Sequence, residues 1–251
     1  VSHQWESFQG SEVFVVDPDK GIVQSKGILS PYSSCYGGAY SNRSKLFFGI
    51  GIFDGYGYVY DLASGAAACI GQVTDGRSNR LIEGPDGHIY YGTATGHLAR
   101  LNVDSRHIEI LAKVRENSPL RHGVFDHNGV LWFSARSGMS LYTYDINSGE
   151  CREAGRFFED GAIYPGKQFC YGFDFDSNGV LWFCSNIELE SSIKYQLGSR
   201  LYKWDVRNGK EKVDYGFVGT KRGRSIALSA QVCIHNDKLF VTDGNHLADP
   251  V

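Results

Sequence analysis

Short apolar runs recur along the whole chain, each closed within a few residues by Gly, Asn or Asp. The clearest are "GPDGHIYYG", "DHNGVLWFS" and "DSNGVLWFC"; looser copies are "SNRSKLFFG" and "HNDKLFVTD". In each copy an apolar stretch leads into a turn, and an aromatic stretch leads out of it, which is the signature of a β-hairpin. The aromatic strands begin at Lys45, His88, Val130, Val180 and Lys238, about 40 to 60 residues apart, the spacing of a repeat architecture.

A second hairpin follows each of the first four: "GYVYDLASGAAACI", "GHLARLNVDSRHIEI", "MSLYTYDINSGECRE" and "SRLYKWDVRNGKEKV". Apolar residues alternate up to an Asp or Asn, then the chain reverses near Gly or Arg. One unit is thus four strands in about 45 residues, the size of a β-propeller blade. No segment of helical period interrupts the pattern. The N-terminal "SEVFVVDPDKGIVQS" is a second hairpin lacking a first, and the C-terminal "AQVCIHNDKLFVTDG" is a first hairpin lacking a second. Together they would complete a fifth blade and remove two exposed edges. The expected fold is therefore all-β, a single β-propeller domain over residues 1–251. It has five four-stranded repeat units, with the ring closed by N- and C-terminal segments sharing one blade. The alternative is a partial chain of a six- to eight-bladed propeller.

Composition narrows the partners. A net charge of −3 with no basic cluster gives no electrostatic footprint for nucleic acid. No apolar run approaches the roughly 18 residues that span a bilayer, so no membrane partner is expected. The 31 Gly and 30 Tyr plus Phe suit short strands and tight turns. The six Cys lack CxxC pairing and dense spacing, so they are expected to be mostly buried free thiols, and neither metal nor cofactor is expected. Asn42-Arg43-Ser44 matches a glycosylation sequon, a pattern common by chance.

On a propeller the first strand of each blade lines the channel. The start of that strand shares a face with the loop between strands two and three, where ligands gather. Five segments fall at those starts: Tyr36-Gly37-Gly38, Asn79-Arg80-Leu81, Arg121-His122-Gly123, Tyr171-Gly172-Phe173 and Ala230-Gln231-Val232. The nearby loops add Arg136, Asn186 and His246. Arg, His and Tyr with few carboxylates suit an anionic ligand, because Arg can grip a carboxylate in a fork and His and Tyr can exchange protons. Together they fit β-elimination from a uronic acid. Arg80 and Arg121 would clamp the carboxylate, with Asn79, Gln231, Arg136, Asn186 and His246 as further substrate-binding residues. His122 would be the base, and Tyr171 or Tyr36 the acid. The expected partner is an acidic polysaccharide or other anionic small ligand, and a monomer is expected. The alternative is a non-catalytic propeller that binds a glycan or a protein.

Other readings are weaker. A two-carboxylate glycosidase needs acidic residues at the strand starts, and those starts carry none. "DFDSNG", 174–179, opens like a calcium loop, but the twelfth position is Ser185 instead of Glu. His127 falls in a turn on the far face and reads as solvated. His88, His97 and His107 lie on or beside strands with no ligand partner at readable spacing.

At "LIEGPDGHIYYGTATGHLARLN" the wording resembles the repeat of streptogramin-lyase-like propellers, with its GPDG turn, aromatic strand and "G-x-L/I-x-R" strand. With "LWFS…LYTYD" the layout also resembles ulvan-lyase-like propellers and pyrroloquinoline-quinone-type repeats. The resemblance covers most of the chain and rests on blade-building residues; the families' catalytic residues are not matched position by position. It implies a propeller, and an elimination run by His with Tyr or Glu and supported by Arg. Those families are typically seven-bladed, whereas this chain shows five units.

Overall fold

In the computed structural model the described residues are 10–17, 19–51, 54–76, 78, 80–114, 120–135, 140–158, 167–188, 199–219 and 229–243. Their strands in chain order begin with β1 (Ser11–Asp17), β2 (Ile22–Ser30), β3 (Cys35–Tyr40), β4 (Leu46–Gly51), β5 (Tyr56–Asp61) and β6 (Ala67–Gln72). Next come β7 (Leu81–Glu83), β8 (Ile89–Gly92), β9 (His97–Leu101) and β10 (Ile108–Lys113). Then follow β11 (Leu120–Phe125), β12 (Val130–Ala135), β13 (Ser140–Asp145), β14 (Cys151–Arg156), β15 (Lys167–Phe175) and β16 (Leu181–Glu188). The last are β17 (Arg200–Trp204), β18 (Val213–Phe217), β19 (Ser229–His235) and β20 (Lys238–Asp243).

The strands form four antiparallel four-stranded meanders, β3–β6, β7–β10, β11–β14 and β15–β18, with two-stranded hairpins β1–β2 and β19–β20 at the ends. These sheets are the blades of a β-propeller, and the four complete meanders are the four-stranded units that the paired hairpins predict. The chain divides into two compact units, residues 1–120 and 121–251.

In the first unit one apolar layer joins the β3–β6 and β7–β10 sheets through Phe48, Ile50, Ile89, Tyr91 and Leu101. A second layer holds the β1–β2 hairpin through Val13, Leu29, Tyr58 and Tyr60. In the second unit Trp132, Phe157, Phe173, Phe183 and Trp204 fill the space between β11–β14 and β15–β18. A central strand covered on both faces has no solvent side. Hence β12 reads Val-Leu-Trp-Phe-Ser-Ala, with its last five residues buried, where a half-exposed strand would alternate.

The hairpin turns are built from one repeated device. Asp126 Oδ1 accepts the amides of Asn128 and Val130 at 2.8 and 3.1 Å, and its Oδ2 accepts the Trp132 indole N–H at 2.8 Å. Asp176 does the same with Asn178, Val180 and Trp182 at 3.0, 2.9 and 2.9 Å. The side chain acts as an Asx turn, while Gly129 and Gly179 supply φ of 79° and 73°, where a Cβ would be strained. "DFDSNG" is thus occupied by turn bonding. In the preceding blade Asp86 accepts the His88 amide at 3.1 Å and the Tyr90 hydroxyl at 3.0 Å.

All six cysteines are free, as the sequence suggests, but only Cys170 and Cys184 are buried; Cys35 and Cys151 are half-buried, and Cys69 and Cys233 are exposed. The expectation of mostly buried thiols fails at Cys69 because β6 is the outer strand of its sheet.

Candidate functional site

Among the first strands of the second unit, β15 packs along β19, and β11 meets β15 through His122. His122 on β11 is 2 % exposed. Its Nε2 lies 2.8 Å from the Phe173 carbonyl oxygen on β15, and its ring meets the Phe173 ring edge-on at 4.7 Å. A carbonyl accepts only, so Nε2 carries the proton and donates; in the neutral ring Nδ1 then holds the lone pair. On the other side of β15, a Cβ at Gly172 would sit 2.7 Å from Gln231 Cα and Val232 N. Only glycine lets β19 approach this closely. Asp174 ties the same strands, its Oδ2 accepting the Ile234 amide at 2.8 Å. The structure therefore lines up His122, the Tyr171-Gly172-Phe173 segment and Gln231, which is exposed.

The register of these strands carries a feature the sequence reading did not single out. The pairing of β15 with β16 runs Cys170↔Ser185 and then shifts before Phe173↔Phe183. The pairing of β3 with β4 runs Cys35↔Gly51 and shifts before Gly38↔Gly49. Both breaks fall at a Cys-Tyr-Gly tripeptide, Cys35-Tyr36-Gly37 and Cys170-Tyr171-Gly172. β19 has a shift between Ser229 and Gln231. Such bulges re-aim a strand and gather beside functional sites. The repeated tripeptide was the available signal. Burial pushes the Cys35 thiol up to about 11, so it stays protonated at neutral pH.

The other sequence candidates are placed as follows. Arg121, Tyr171 and Tyr36 lie on β11, β15 and β3, where the strand backbone is described. Arg80 is half-buried just ahead of β7, a neighbour of β3. Asn186 is fully buried, and its Oδ1 accepts the Ser199 hydroxyl at 2.7 Å. It clasps the end of β16 to the start of β17. Asn79, Arg136 and His246 lie outside the described residues.

In the first unit a second group sits among the loops that lead into β7 and β9. Asp75 accepts the Ala94 amide at 3.0 Å and the Thr95 hydroxyl at 2.5 Å, and Thr95 Oγ1 is 3.1 Å from His97 Nδ1. Burial pushes the Asp75 carboxyl up, but the Thr95 and Thr74 hydroxyls outweigh it and leave the group below the ordinary carboxylate range. His97 thus has a partner chain that spacing alone did not reveal. Among the described residues no group of three or more His, Cys, Asp or Glu side chains could hold a metal ion.

No family model matches this chain, and no curated protein matches it. Solved structures do. The extracellular domain assigned to a one-component system of B. thetaiotaomicron aligns over 92% of this chain and 31% of its own, with TM-score 0.64 and 14% identity. This chain therefore spans about a third of that neighbour's length. A chain of the nidogen/laminin complex aligns over 94% of this chain and 82% of its own, with TM-score 0.65 and 14% identity. Virginiamycin B lyase from Staphylococcus aureus aligns over 92% of this chain and 84% of its own, with TM-score 0.60 and 12% identity. At such identities the likeness is one of fold, and it agrees with the streptogramin-lyase-like repeat noted in the sequence.

Proposed function

We propose that this chain is a carbohydrate-active propeller that takes an acidic, uronate-containing saccharide at the first-strand face of its second unit and cleaves it by β-elimination. The observation that carries the reading is the bond from His122 Nε2 to the Phe173 carbonyl, which fixes the tautomer and places the lone pair of the neutral ring on Nδ1. In this scheme Arg121 grips the uronate carboxylate and acidifies the neighbouring C–H. His122 Nδ1 removes that proton. The freed electron pair forms a carbon–carbon double bond, the adjacent glycosidic C–O bond breaks, and Tyr171 protonates the departing oxygen. Gln231 adds a hydrogen bond to the sugar. Fold-level likeness to a protein named as a lyase is consistent with this chemistry.

A second reading is favoured by the 2 % exposure of His122: the same face binds an acidic glycan without cleaving it, and His122 serves as a strand clasp. The two readings separate on one assay. Folded protein incubated with a panel of uronate polymers should raise ultraviolet absorbance from the unsaturated product. His122→Gln keeps an N–H donor for Phe173 and removes the base, so it should stay folded and lose the signal. A folded wild-type chain that is silent across the panel but binds the polymers leaves the second reading. Neither binding nor signal would sink both.

A further inference from the structure

A concavity of about 500 Å³ opens in the first unit, between the end of β2 and the β5–β6 hairpin. Tyr32, Tyr56 and Tyr58 line it together with Asp54. The floor is Ala67, Ala68 and Cys69 of β6. The pocket opens where this outer strand carries three small residues in a row, whereas the sister strands β10 and β14 carry larger ones at two or more of the three positions. Ala67, Ala68 and Cys69 pair with Tyr60, Val59 and Tyr58. The equivalent pairs on β10 place Ile108, Glu109 and Ile110 there, and those on β14 place Cys151, Arg152 and Glu153. Tyr32 is 91% exposed and Tyr56 42%, so two aromatic side chains are offered to solvent at one concavity. The Asp54 carboxylate is fixed beside them, because its Oδ1 accepts the Tyr56 amide at 3.0 Å.

We propose that this pocket binds a quaternary ammonium group carried by a small molecule. The lining is largely apolar, its charged member is a carboxylate, and among the described lining residues there is no Lys or Arg. An anionic ligand such as a uronate would meet Asp54 and no compensating cation. A neutral sugar would bring many hydroxyls to a surface with few polar partners, and each hydroxyl left unpaired costs free energy. A trimethylammonium head matches on each count. Its surface is methyl, it has no N–H to satisfy, and its spread charge is attracted to tyrosine faces and to a carboxylate. The volume falls in the range of small-molecule sites. This site does not depend on the saccharide reading above.

The test compares choline with its neutral isostere 3,3-dimethylbutan-1-ol, titrated into the full chain by calorimetry or ligand-observed NMR. Choline should bind, and the isostere about tenfold more weakly. Tyr32→Ala removes a ring that is almost wholly exposed and should fold. Asp54→Asn keeps an oxygen for the Tyr56 amide and removes the charge. Each should weaken choline about fivefold to tenfold with the thermal melt unchanged. Absence of choline binding at millimolar concentration, equal binding of the isostere, or indifference to Asp54→Asn would each overturn the proposal.

Discussion

The two ends of strand β11 teach different things. At Asp126 the chain repeats itself: the carboxylate that caps the turn and holds the Trp132 indole recurs at Asp176 with Trp182, and its analogue Asp86 holds Tyr90. At Arg121-His122-Gly123 no such repetition exists. The matching segments are Tyr36-Gly37-Gly38, Asn79-Arg80-Leu81, Tyr171-Gly172-Phe173 and Ala230-Gln231-Val232. A bond that recurs blade after blade answers a need of the blade. Tyr-Gly recurs in two of these segments, but the Arg-His pair at 121–122 stands in one alone, so no need common to the blades accounts for it.

The largest effect should come from breaking the repeated end. The Asp126 side chain is 3% exposed and also receives Arg207 at 2.6 Å, whose guanidinium lies 5.1 Å from the Phe175 ring centroid and 5.6 Å from that of Trp132. Asp126→Ala leaves the indole N–H and the guanidinium without their acceptor. It should cost about 3 kcal/mol, read as a fall in melting temperature of about 6 to 12 °C. Next comes His122. Its burial and its bond to Phe173 mean that His122→Ala opens a void and strips a carbonyl of its donor, at about 2 kcal/mol; His122→Gln should lose less than half of that. If the alanine variant melts like wild type, the strand-clasp geometry is wrong.

Asp75 gives a smaller effect that depends on pH. Its folded-state acidity is raised, so its pKa lies below the unfolded value. The stability it contributes is therefore present above about pH 4 and is lost as the pH falls through the folded pKa. Melts of wild type and Asp75→Asn should differ at pH 7 and converge as the pH drops below about 4. A gap that stays constant with pH would remove Asp75 from the ledger. The smallest effect is expected at His127, exposed in the β11–β12 turn: His127→Ala should change stability by less than about 0.5 kcal/mol.

The pattern of hydrophobicity carried the blades well, because each hairpin is local: the Asp, the turn Gly and the aromatic lie within six or seven residues of one another. The bulges at the two Cys-Tyr-Gly tripeptides were written in the sequence too, as a repeat at a place where hairpin logic does not look. What packs on His122 was not legible, since Phe173 stands 51 residues away in sequence and only the stacking of blades brings it there. Asn186 reads as a loop residue but lies buried within β16, whose range Leu181–Glu188 extends past the residues that the hairpin pattern marks. The pocket was hidden for another reason. It is made by small residues on an outer strand and by a tyrosine in a connection, neither of which marks a hydropathy pattern.

On the proposed function, ligand recognition belongs to the end of β11 that departs from the repeat. The most direct measurement is a calorimetric titration of a uronate oligosaccharide into wild type, Arg121→Ala and His127→Ala, each verified as folded by its thermal melt. Wild type and His127→Ala should bind alike, and Arg121→Ala should bind at least about tenfold more weakly, the loss of one charge-assisted fork. Equal binding by all three proteins, or loss in His127→Ala alone, would contradict it.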